Sequence, residues 1–481
     1  MRTDRARIGT TFVLSGHCLH GNFTETKIVK AEKKTGACSQ FSEAYPIFYK
    51  DNKKWGIAML FLPENRDPEL KNARFSLYIP IKKLNFDQIM NVEGRTMTER
   101  RVDKRLLAPV LMGFFIMGFC DIVAPVTNII SGEFPESRQG AVSFLPSMVF
   151  LWFLLLSTPV AALMNRIGRK KTAMIGYAFT IAGLLVPYAA GVGSALGWYF
   201  IGFGLLGIGN TAIQVAVNPL LATIVPEERM TSFLTVGQIF RNTALLLLAP
   251  IITGLVSLFG DWRLLLPIYA GLTLVGAVWL QATAVAEPVR SSRAVGMAEC
   301  FRLLRNRTVL LCTLGVACFI AADVGIGFVS VRLIDNPDSI LTTTGFYALR
   351  IVGTLVGAWV LIRVVDVKYL RWNMLLALAL CIALFAVRSE AVVYALVGIL
   401  GFTMACVFAT FYAVATKSAP GRSNEVAGLM ILAISAGALS GPICGALIRG
   451  FGHPQAGLIW VTACVCYLLW AAAVLKSDTK K

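Results

Sequence analysis

From Leu106 to its last residues the chain is a succession of apolar stretches separated by short polar or charged segments. The apolar stretches are roughly 18 to 25 residues long, which suits a helix that crosses a bilayer. An even number of such spans puts both ends of the chain on one side of the membrane. We predict an all-α membrane protein with twelve transmembrane helices near 106–130, 140–164, 172–191, 197–223, 232–258, 263–284, 308–333, 342–364, 372–388, 391–416, 425–448 and 455–475.

The order of features repeats between the first six and the last six predicted spans. Asp121 lies 15 positions after Leu106, and Asp323 lies 15 positions after Thr308, where the corresponding spans begin. Weak internal repetition of this kind is typical of transporters, whose solute site lies between the repeats near the bilayer midplane. The predicted organisation is therefore two pseudo-symmetric six-helix bundles, residues 97–285 and 308–481, joined by a cytoplasmic central loop, residues 286–307.

Residues 1–96 differ from the rest, because they are polar and contain only short apolar stretches such as GIAMLFLP and FSLYIPI. None of these stretches is long enough to cross a bilayer. Two interpretations are open: a small cytosolic domain, or upstream sequence outside the working protein, which would then begin at Met97. We favour the second, since the basic segment MTERRVDKRLL directly before the first span suits a cytoplasmic N-terminus.

The formal net charge of +18 reflects basic residues in the short loops between apolar stretches. Under the predicted threading, most Lys and Arg after Met97 lie on the side of the N-terminus. Basic loops stay in the cytoplasm, so we predict both termini to be cytoplasmic, in a bacterial inner membrane. The lipid bilayer is the expected surroundings, and we expect a monomer. Nucleic acid is not a predicted partner, because no basic face with interleaved aromatic residues is present.

Four charged residues lie deep within the predicted spans: Asp121, Asp323, Arg241 and Arg350. A charge at that depth costs at least about 2.5 kcal/mol and is seldom kept without a use. At a rise of about 1.5 Å per residue, Asp323 and Arg350 are level, which predicts an ion pair. Asp121 and Arg241 are about 9 Å apart along the membrane normal by the same rise, so we expect Asp121 to be unpaired and protonatable. The alternative is that both aspartates only bind neighbouring helices.

Polar side chains also recur at helical spacing in spans four and five. Residues at i, i+4 and i+8, or at i, i+3 and i+4, share one helix face. Such a polar stripe belongs against protein or a water-filled cavity rather than lipid. Amide groups suit hydroxyl-rich ligands, whereas hydrogen bonding between packed helices is the alternative. The two stripes are Asn210, Gln214 and Asn218, and Gln238, Arg241 and Asn242.

One loop and three motifs resemble a known transporter family. MNRIGRKK after span two resembles the signature loop of the major facilitator superfamily, with Asn165 where an aspartate is usual and Ala161 where a glycine is usual. GFCDIVAP in span one, QVAVNP in span four and GQIF in span five look like sugar:proton symporters of the fucose permease type. The resemblance covers roughly Leu106 to the C-terminus.

This resemblance implies the major facilitator fold, alternating access and residue roles. In the fucose permease group, an aspartate in span one and a glutamate in span four serve sugar binding and proton coupling. Asp121 matches the aspartate, whereas Gln214 stands at the glutamate position and Arg241 where the group has an asparagine. Both departures bear on whether fucose itself is the substrate. The loop implies a conformational latch formed by Asn165, Arg166, Gly168, Arg169 and Lys170.

From these features we predict a secondary active transporter, not an enzyme, that imports a sugar or related polyol with a proton. Asp121 and Asp323 are the candidates for proton coupling. The same fold could instead carry an anionic solute such as a sugar acid, because guanidinium groups bind carboxylates bidentately. No nucleophile, base or metal cluster is visible, so no cofactor or metal is expected. The candidate substrate contacts are Asn210, Gln214, Asn218, Gln238, Arg241, Asn242 and Arg350.

Overall fold

A computed structural model gives the positions of most of the chain. The predicted start at Met97 and the first part of the central loop, residues 286–296, lie outside the described residues. The structure describes residues 12–14, 41–51, 54–63, 75–80, 104–191, 195–285, 297–330, 332–333, 340–387 and 389–475.

The N-terminal extension contains an antiparallel sheet of four strands in the order β1-β4-β3-β2. The strands are β1 (Phe12–Leu14), β2 (Phe41–Asp51), β3 (Lys54–Pro63) and β4 (Phe75–Pro80). Asp51 pairs with Lys54, so β2 and β3 are the arms of a tight hairpin. The two apolar stretches of the extension supply most of β3 and β4, because aromatic and β-branched residues favour strands. These strands belong to a compact unit of their own. A small domain was one of the two interpretations that the sequence left open, whereas the strands themselves were not predicted.

The helical part begins at Lys104, as the apolar pattern predicts. Its first half ends with the helix that precedes the central loop. The helices of this half are α1 (Lys104–Met117), α2 (Val123–Ser131), α3 (Glu136–Val142), α4 (Leu145–Ile167), α5 (Arg169–Ala190), α6 (Leu196–Ile224), α7 (Met230–Leu246), α8 (Leu248–Phe259) and α9 (Leu265–Ala282).

The second half follows a short helix in the central loop, α10 (Met297–Arg302). Its arrangement repeats that of the first half, with long single helices and spans made of two helical segments. The helices are α11 (Arg307–Ser330), α12 (Ile340–Val360), α13 (Asp366–Ala386), α14 (Glu390–Met404), α15 (Val407–Ser418), α16 (Ser423–Ile434), α17 (Gly437–Phe451) and α18 (Gly457–Val474).

Within the described residues, ten helical stretches are long and apolar enough to cross a membrane. The pair α1 and α2, together with α12, completes the twelve predicted spans. Gly345–Val360 of α12 is a shorter apolar helix, and the first span is divided by a bent turn. The prediction of an all-α transmembrane part with two six-helix halves is confirmed.

The first span is not one continuous helix, contrary to the sequence prediction. After α1 the chain forms a 3₁₀ turn at Gly118–Cys120, and α2 starts at Val123. A proline has no amide hydrogen, so Pro125 cannot donate to the carbonyl of Asp121 four residues earlier. The loss of that helical hydrogen bond explains why the chain departs from a regular helix beside Asp121.

The two halves pack closely near the end of the helices that carries the 165–170 loop. We call this the inner end, because the sequence analysis predicts it to be cytoplasmic. At Gly428 of α16, an added Cβ would lie 2.7 Å from the Cβ of Ala161 in α4 and 3.1 Å from the carbonyl oxygen of Ser157. Only a glycine lets these two helices of opposite halves approach so closely.

Candidate functional site

Asp121 lies where the first span meets the fifth. The backbone amide of Asp121 donates to the carbonyl of Gly118 (3.1 Å), which closes the 3₁₀ turn. A Cβ at Gly118 would lie 2.5 Å from the carbonyl oxygen of Arg241 in α7. The missing side chain therefore lets the turn contact the backbone of α7, and this contact brings Asp121 beside Arg241.

The Asp121 carboxylate accepts two hydrogen bonds from the Arg241 guanidinium. Nε donates to Oδ2 at 2.7 Å, and Nη2 donates to Oδ1 at 2.9 Å. The prediction that Asp121 is unpaired is therefore wrong. The depth estimate assumed straight helices, whereas the bent first span and the close contact at Gly118 remove the expected separation. The side chain of Asp121 still keeps 33% of its surface exposed, so the pair is not fully buried.

The second half contains the corresponding pair, and here the prediction is confirmed. Nη1 of Arg350 in α12 donates to Oδ1 of Asp323 in α11 at 2.6 Å. The side chains keep only 12% and 17% of their surface exposed. The Arg350 guanidinium also lies over two aromatic rings, 5.5 Å from the centroid of Phe319 and 5.9 Å from that of Phe346, at distances suited to a cation–π contact.

The two ion pairs are close enough to act on each other across the boundary between the halves. Asp323 attracts Arg241, and Arg241 repels Arg350. The hydroxyl of Tyr347 in α12 lies in the field of all four charged groups. The structure thus brings the four intramembrane charges of the sequence together in one central cluster, with two groups from each half.

The first residue of the polar stripe in α6 hydrogen-bonds to the backbone of the bent first span. Nδ2 of Asn210 donates to the carbonyl of Met117 (2.7 Å), the last residue of α1. Gln214 Nε2 donates to Asn210 Oδ1 at 2.6 Å, and Asn218 Nδ2 donates to the Gln214 carbonyl at 2.7 Å. All three amides are buried, with 1% of their surface exposed. Asn210 therefore binds a neighbouring helix, the alternative that the sequence left open.

Several amide atoms of the two polar stripes have no hydrogen-bond partner among the described residues. Gln214 Oε1, Asn218 Oδ1 and Gln238 Nε2 are buried and have no hydrogen-bond partner among the described residues. Asn242 of α7 is buried as well, on the helix that carries Arg241. A buried polar group without a partner is costly, so each of these atoms suits a water molecule or a ligand hydroxyl.

The loop at the inner end joins the two halves. Arg169 donates through Nε to Asn424 Oδ1 (2.8 Å) and through Nη2 to the Ser423 hydroxyl (2.6 Å) at the start of α16. Asn424 Nδ2 donates to Asn165 Oδ1 at 2.6 Å, and Asn165 Nδ2 donates to Glu425 Oε1 at 3.4 Å. We call these five residues the latch. Asn165, which replaces the usual aspartate, thus still takes part in the contact.

The other predicted loop residues have different positions. Gly168 has a φ of 95°, a conformation that favours glycine and that makes the sharp turn between α4 and α5. Lys170 Nζ donates to the carbonyls of Gln281 (2.7 Å) and Thr283 (2.9 Å), within the first half. Arg166 is exposed and, unlike Arg169, has no part in the latch.

A second contact between the halves at the inner end was not predicted. The Thr231 hydroxyl at the start of α7 donates to Oδ2 of Asp366 at the start of α13 (2.6 Å). The neighbouring Ser232 hydroxyl donates to the carbonyl of Ala358 at 2.7 Å. Lys417 Nζ lies 3.5 Å from the same Asp366 oxygen. A clue was available, because RVVDVK occupies the same place in the second half as NRIGRK in the first.

The central-loop helix α10 packs near the latch. Its Glu299 lies 3.4 Å from Arg422, directly before the latch residues of α16. Cys300 is fully buried. Burial, together with the charge of Glu425, raises the pKa of the Cys300 thiol to about 12. The described part of the central loop therefore joins the closed inner end.

At the opposite end, an ion-pair cluster within the first half also escaped the sequence analysis. Arg263 Nη2 donates to Glu133 Oε2 at 2.6 Å, and Arg263 Nε donates to the Tyr199 hydroxyl at 3.0 Å. Trp262 Nε1 donates to Glu133 Oε1 at 2.8 Å. These contacts fix the end of the first span to the starts of α6 and α9.

Comparisons with known proteins agree with this arrangement. The glucose/galactose transporter of Brucella abortus biovar 1 (strain 9-941) is 25% identical over 393 residues, which cover 75% of this chain and 91% of the relative. The E. coli fucose:proton symporter, FucP, has a solved structure similar to this one, with a TM-score of 0.67 and 16% identity. The similarity covers 76% of this chain and 97% of FucP.

A solved structure of the proton:xylose symporter XylE is also similar, with a TM-score of 0.59 and 14% identity. That similarity covers 77% of this chain and 94% of XylE. At these identities the solved structures establish the shared fold. The family model of the Major Facilitator Superfamily matches residues 110–442. The resemblance of the loop and the motifs is thereby confirmed, and the chain belongs to the Major Facilitator Superfamily.

Proposed function

We propose that this protein imports a sugar or a related polyol together with a proton by alternating access. The observation that carries the proposal is Asp121, a partly exposed carboxylate in a transmembrane span, held bidentately by Arg241. Protonation of Asp121 removes its negative charge and one of its acceptor sites, so Arg241 is released. Proton uptake therefore changes the contacts between the first and fifth spans, which gives the proton a way to drive a rearrangement.

A neutral, hydroxyl-rich solute fits the central cluster. Arg241 and Arg350 are each neutralised by an aspartate of their own half, so the four charges sum to zero. The uncommitted amide atoms of Gln214 and Gln238 offer an acceptor and a donor to hydroxyl groups. The names of the Brucella relative, FucP and XylE, a glucose/galactose transporter, a fucose symporter and a xylose symporter, support the same class of substrate.

The cross-half contacts support the direction of access. The latch and the Thr231–Asp366 contact both join the halves at the inner end, which closes that end. A solute enters such a state from the outer side and leaves when these contacts break. A second solved structure of FucP, described as outward, shares the fold with a TM-score of 0.67. Asn165 and Arg169 are thus proposed as conformational residues, and Gly168 and Lys170 as their support.

The proposed location is a bacterial inner membrane with both termini in the cytoplasm. The basic loops lie at the inner end, where the positive-inside rule retains Lys and Arg. The proposed functional unit is a monomer, since the cluster is complete within one chain. Asp323 is proposed as a second proton-coupling group, because it shares its cluster with Asp121 across the boundary between the halves.

The test is uptake of radiolabelled sugars by proteoliposomes with an imposed inward proton gradient. The wild-type protein is expected to accumulate a neutral sugar above its external concentration. Asp121→Asn is expected to abolish accumulation while leaving counterflow, because the variant binds solute without carrying a proton. Asp261→Asn is the matched control: Asp261 caps a turn at the outer end, away from the cluster, and the variant should keep accumulation.

Full proton-driven accumulation by Asp121→Asn would refute the coupling role. Competition by sugar acids but not by neutral sugars would favour the anionic solute instead. In that case Arg241 and Arg350 would be the anion contacts, and each would have to leave its aspartate.

A further inference from the structure

Buried polar atoms without a hydrogen-bond partner among the described residues also lie between the central cluster and the inner end. Helix α6 ends at Ile224, so Gln214 lies about 15 Å from that end and Asn218 about 9 Å, at a rise of about 1.5 Å per residue. Gln238 lies about 12 Å from the start of α7 by the same rise. These amides therefore lie at successive depths below the ion pairs, along the side that the latch closes.

The second half contributes one group to this path, the hydroxyl of Tyr412 in α15. Tyr412 is fully buried, and its hydroxyl has no hydrogen-bond partner among the described residues. It lies six residues before Ser418, the end of α15, and so about 9 Å from that end, level with Asn218.

The position of Arg169 connects Tyr412 with Asn218 across the boundary between the halves. Arg169 Nη1 donates to the carbonyl of Pro219 at 2.8 Å, and Pro219 directly follows Asn218 in α6. The charge of Arg169 also acts on the Tyr412 hydroxyl. Asn218 from the first half and Tyr412 from the second are therefore both near Arg169, at the same depth above the latch.

These two groups fit a polyol in their chemistry. Asn218 Oδ1 is an acceptor without a partner in the described part of the chain, and the Tyr412 hydroxyl both donates and accepts. A buried polar atom without a partner is costly, so each of the two atoms suits a water molecule or a solute hydroxyl. Both groups gain partners only when the halves separate at the inner end, where water or a solute hydroxyl can reach them.

We propose that Asn218 and Tyr412 form an inner subsite for sugar hydroxyls, occupied after the latch opens and before the solute reaches the cytoplasm. The subsite is distinct from the central ion pairs, and it rests on the proposed function. Because it is accessible only from the inner side, its loss changes the affinity for solute that enters from the cytoplasm. The affinity for solute that enters from outside depends on the central cluster and does not change.

The test compares Tyr412→Phe in right-side-out and inside-out membrane vesicles, with a labelled neutral sugar that the wild-type protein transports. The variant keeps the ring and removes one hydrogen bond to the solute. We expect the KM on the cytoplasmic side to rise about three- to tenfold, the range of one neutral hydrogen bond. The KM on the outer side stays within about twofold of the wild-type value, which also verifies that the variant is folded.

Tyr177→Phe is the matched control. Tyr177 of α5 is equally buried, and its hydroxyl also has no partner among the described residues. It lies against Gly113 of α1, inside the first half. The control should leave both KM values unchanged. Equal KM changes on the two sides, no change in Tyr412→Phe, or the same asymmetry in Tyr177→Phe would overturn the subsite. A wild-type protein that carries no sugar would overturn both the subsite and the proposed function.

Discussion

The Asp121–Arg241 pair allows structural and coupling roles to be separated by a double-mutant cycle. Asp121→Asn leaves the Arg241 guanidinium unpaired, and Arg241→Met leaves the Asp121 carboxylate unpaired. The double variant Asp121→Asn with Arg241→Met has neither charge. Because the two side chains form two charge-assisted hydrogen bonds of 2.7 and 2.9 Å, the two single changes should be strongly coupled.

The exposed fractions of the two side chains set the expected magnitude. Breaking a fully buried pair costs about 3–5 kcal/mol, whereas an exposed pair contributes about 0–1 kcal/mol. The Arg241 side chain keeps 16% of its surface exposed and that of Asp121 keeps 33%. We therefore expect each single variant to lose about 2 kcal/mol of unfolding free energy, about midway between these limits. The double variant leaves no unpaired charge at this position, so its unfolding free energy should lie within about 1 kcal/mol of the wild-type value.

The assay is thermal unfolding of purified protein in detergent, followed for all four proteins in one buffer. With about 2–4 °C per kcal/mol for a domain of 150–250 residues, each single variant should lower Tm by about 4–8 °C. The double variant should recover most of this loss. Glu299→Gln, which breaks the ion pairs with the exposed Arg302 and Arg422, is the control and should lower Tm by less than either single variant.

A transport assay of the same four proteins provides the second measurement of the cycle. The double variant should regain stability but not proton-driven accumulation, because it still lacks the Asp121 carboxylate. Tm losses that simply add in the double variant would show that the two side chains do not depend on each other. A stable double variant that accumulates sugar against its gradient would show that the proton is carried elsewhere.

Two further predictions concern the inner end. Gly428→Leu places a side chain against Ala161 of the opposite half, so the latch should open. A cysteine introduced above the latch should then react faster with a cytoplasmic thiol reagent than the same cysteine in a protein that keeps Gly428. An equal rate in the two proteins would contradict the packing. Since burial raises the pKa of Cys300 to about 12, the thiolate at pH 8 should be roughly a thousandfold rarer than in an ordinary thiol with a pKa near 8.5. Maleimide labelling of Cys300 should therefore be very slow in the folded protein, should rise as the pH increases, and should become fast after denaturation; rapid labelling of the folded protein at pH 8 would refute the burial.

The sequence was sufficient for the features that depend on local composition. The twelve spans follow from the lengths of the apolar stretches, and the family follows from the loop at 165–170 and from motifs such as GFCDIVAP. The polar stripe of α6 was also predictable, because its residues repeat at helical spacing. The Asp323–Arg350 pair could be predicted since α11 and α12 place both groups at the same depth.

The tertiary structure was needed wherever two distant segments approach each other. Asp121 was expected to be unpaired, because depth along straight helices says nothing about a bent span or about the contact between Gly118 and the backbone of α7. The Thr231–Asp366 contact and the burial of the Tyr412 hydroxyl likewise depend on how the halves are packed. Apolar length and helical period are properties of one segment, but the partner of a buried polar group depends on sub-ångström distances between helices, which only the packed structure determines.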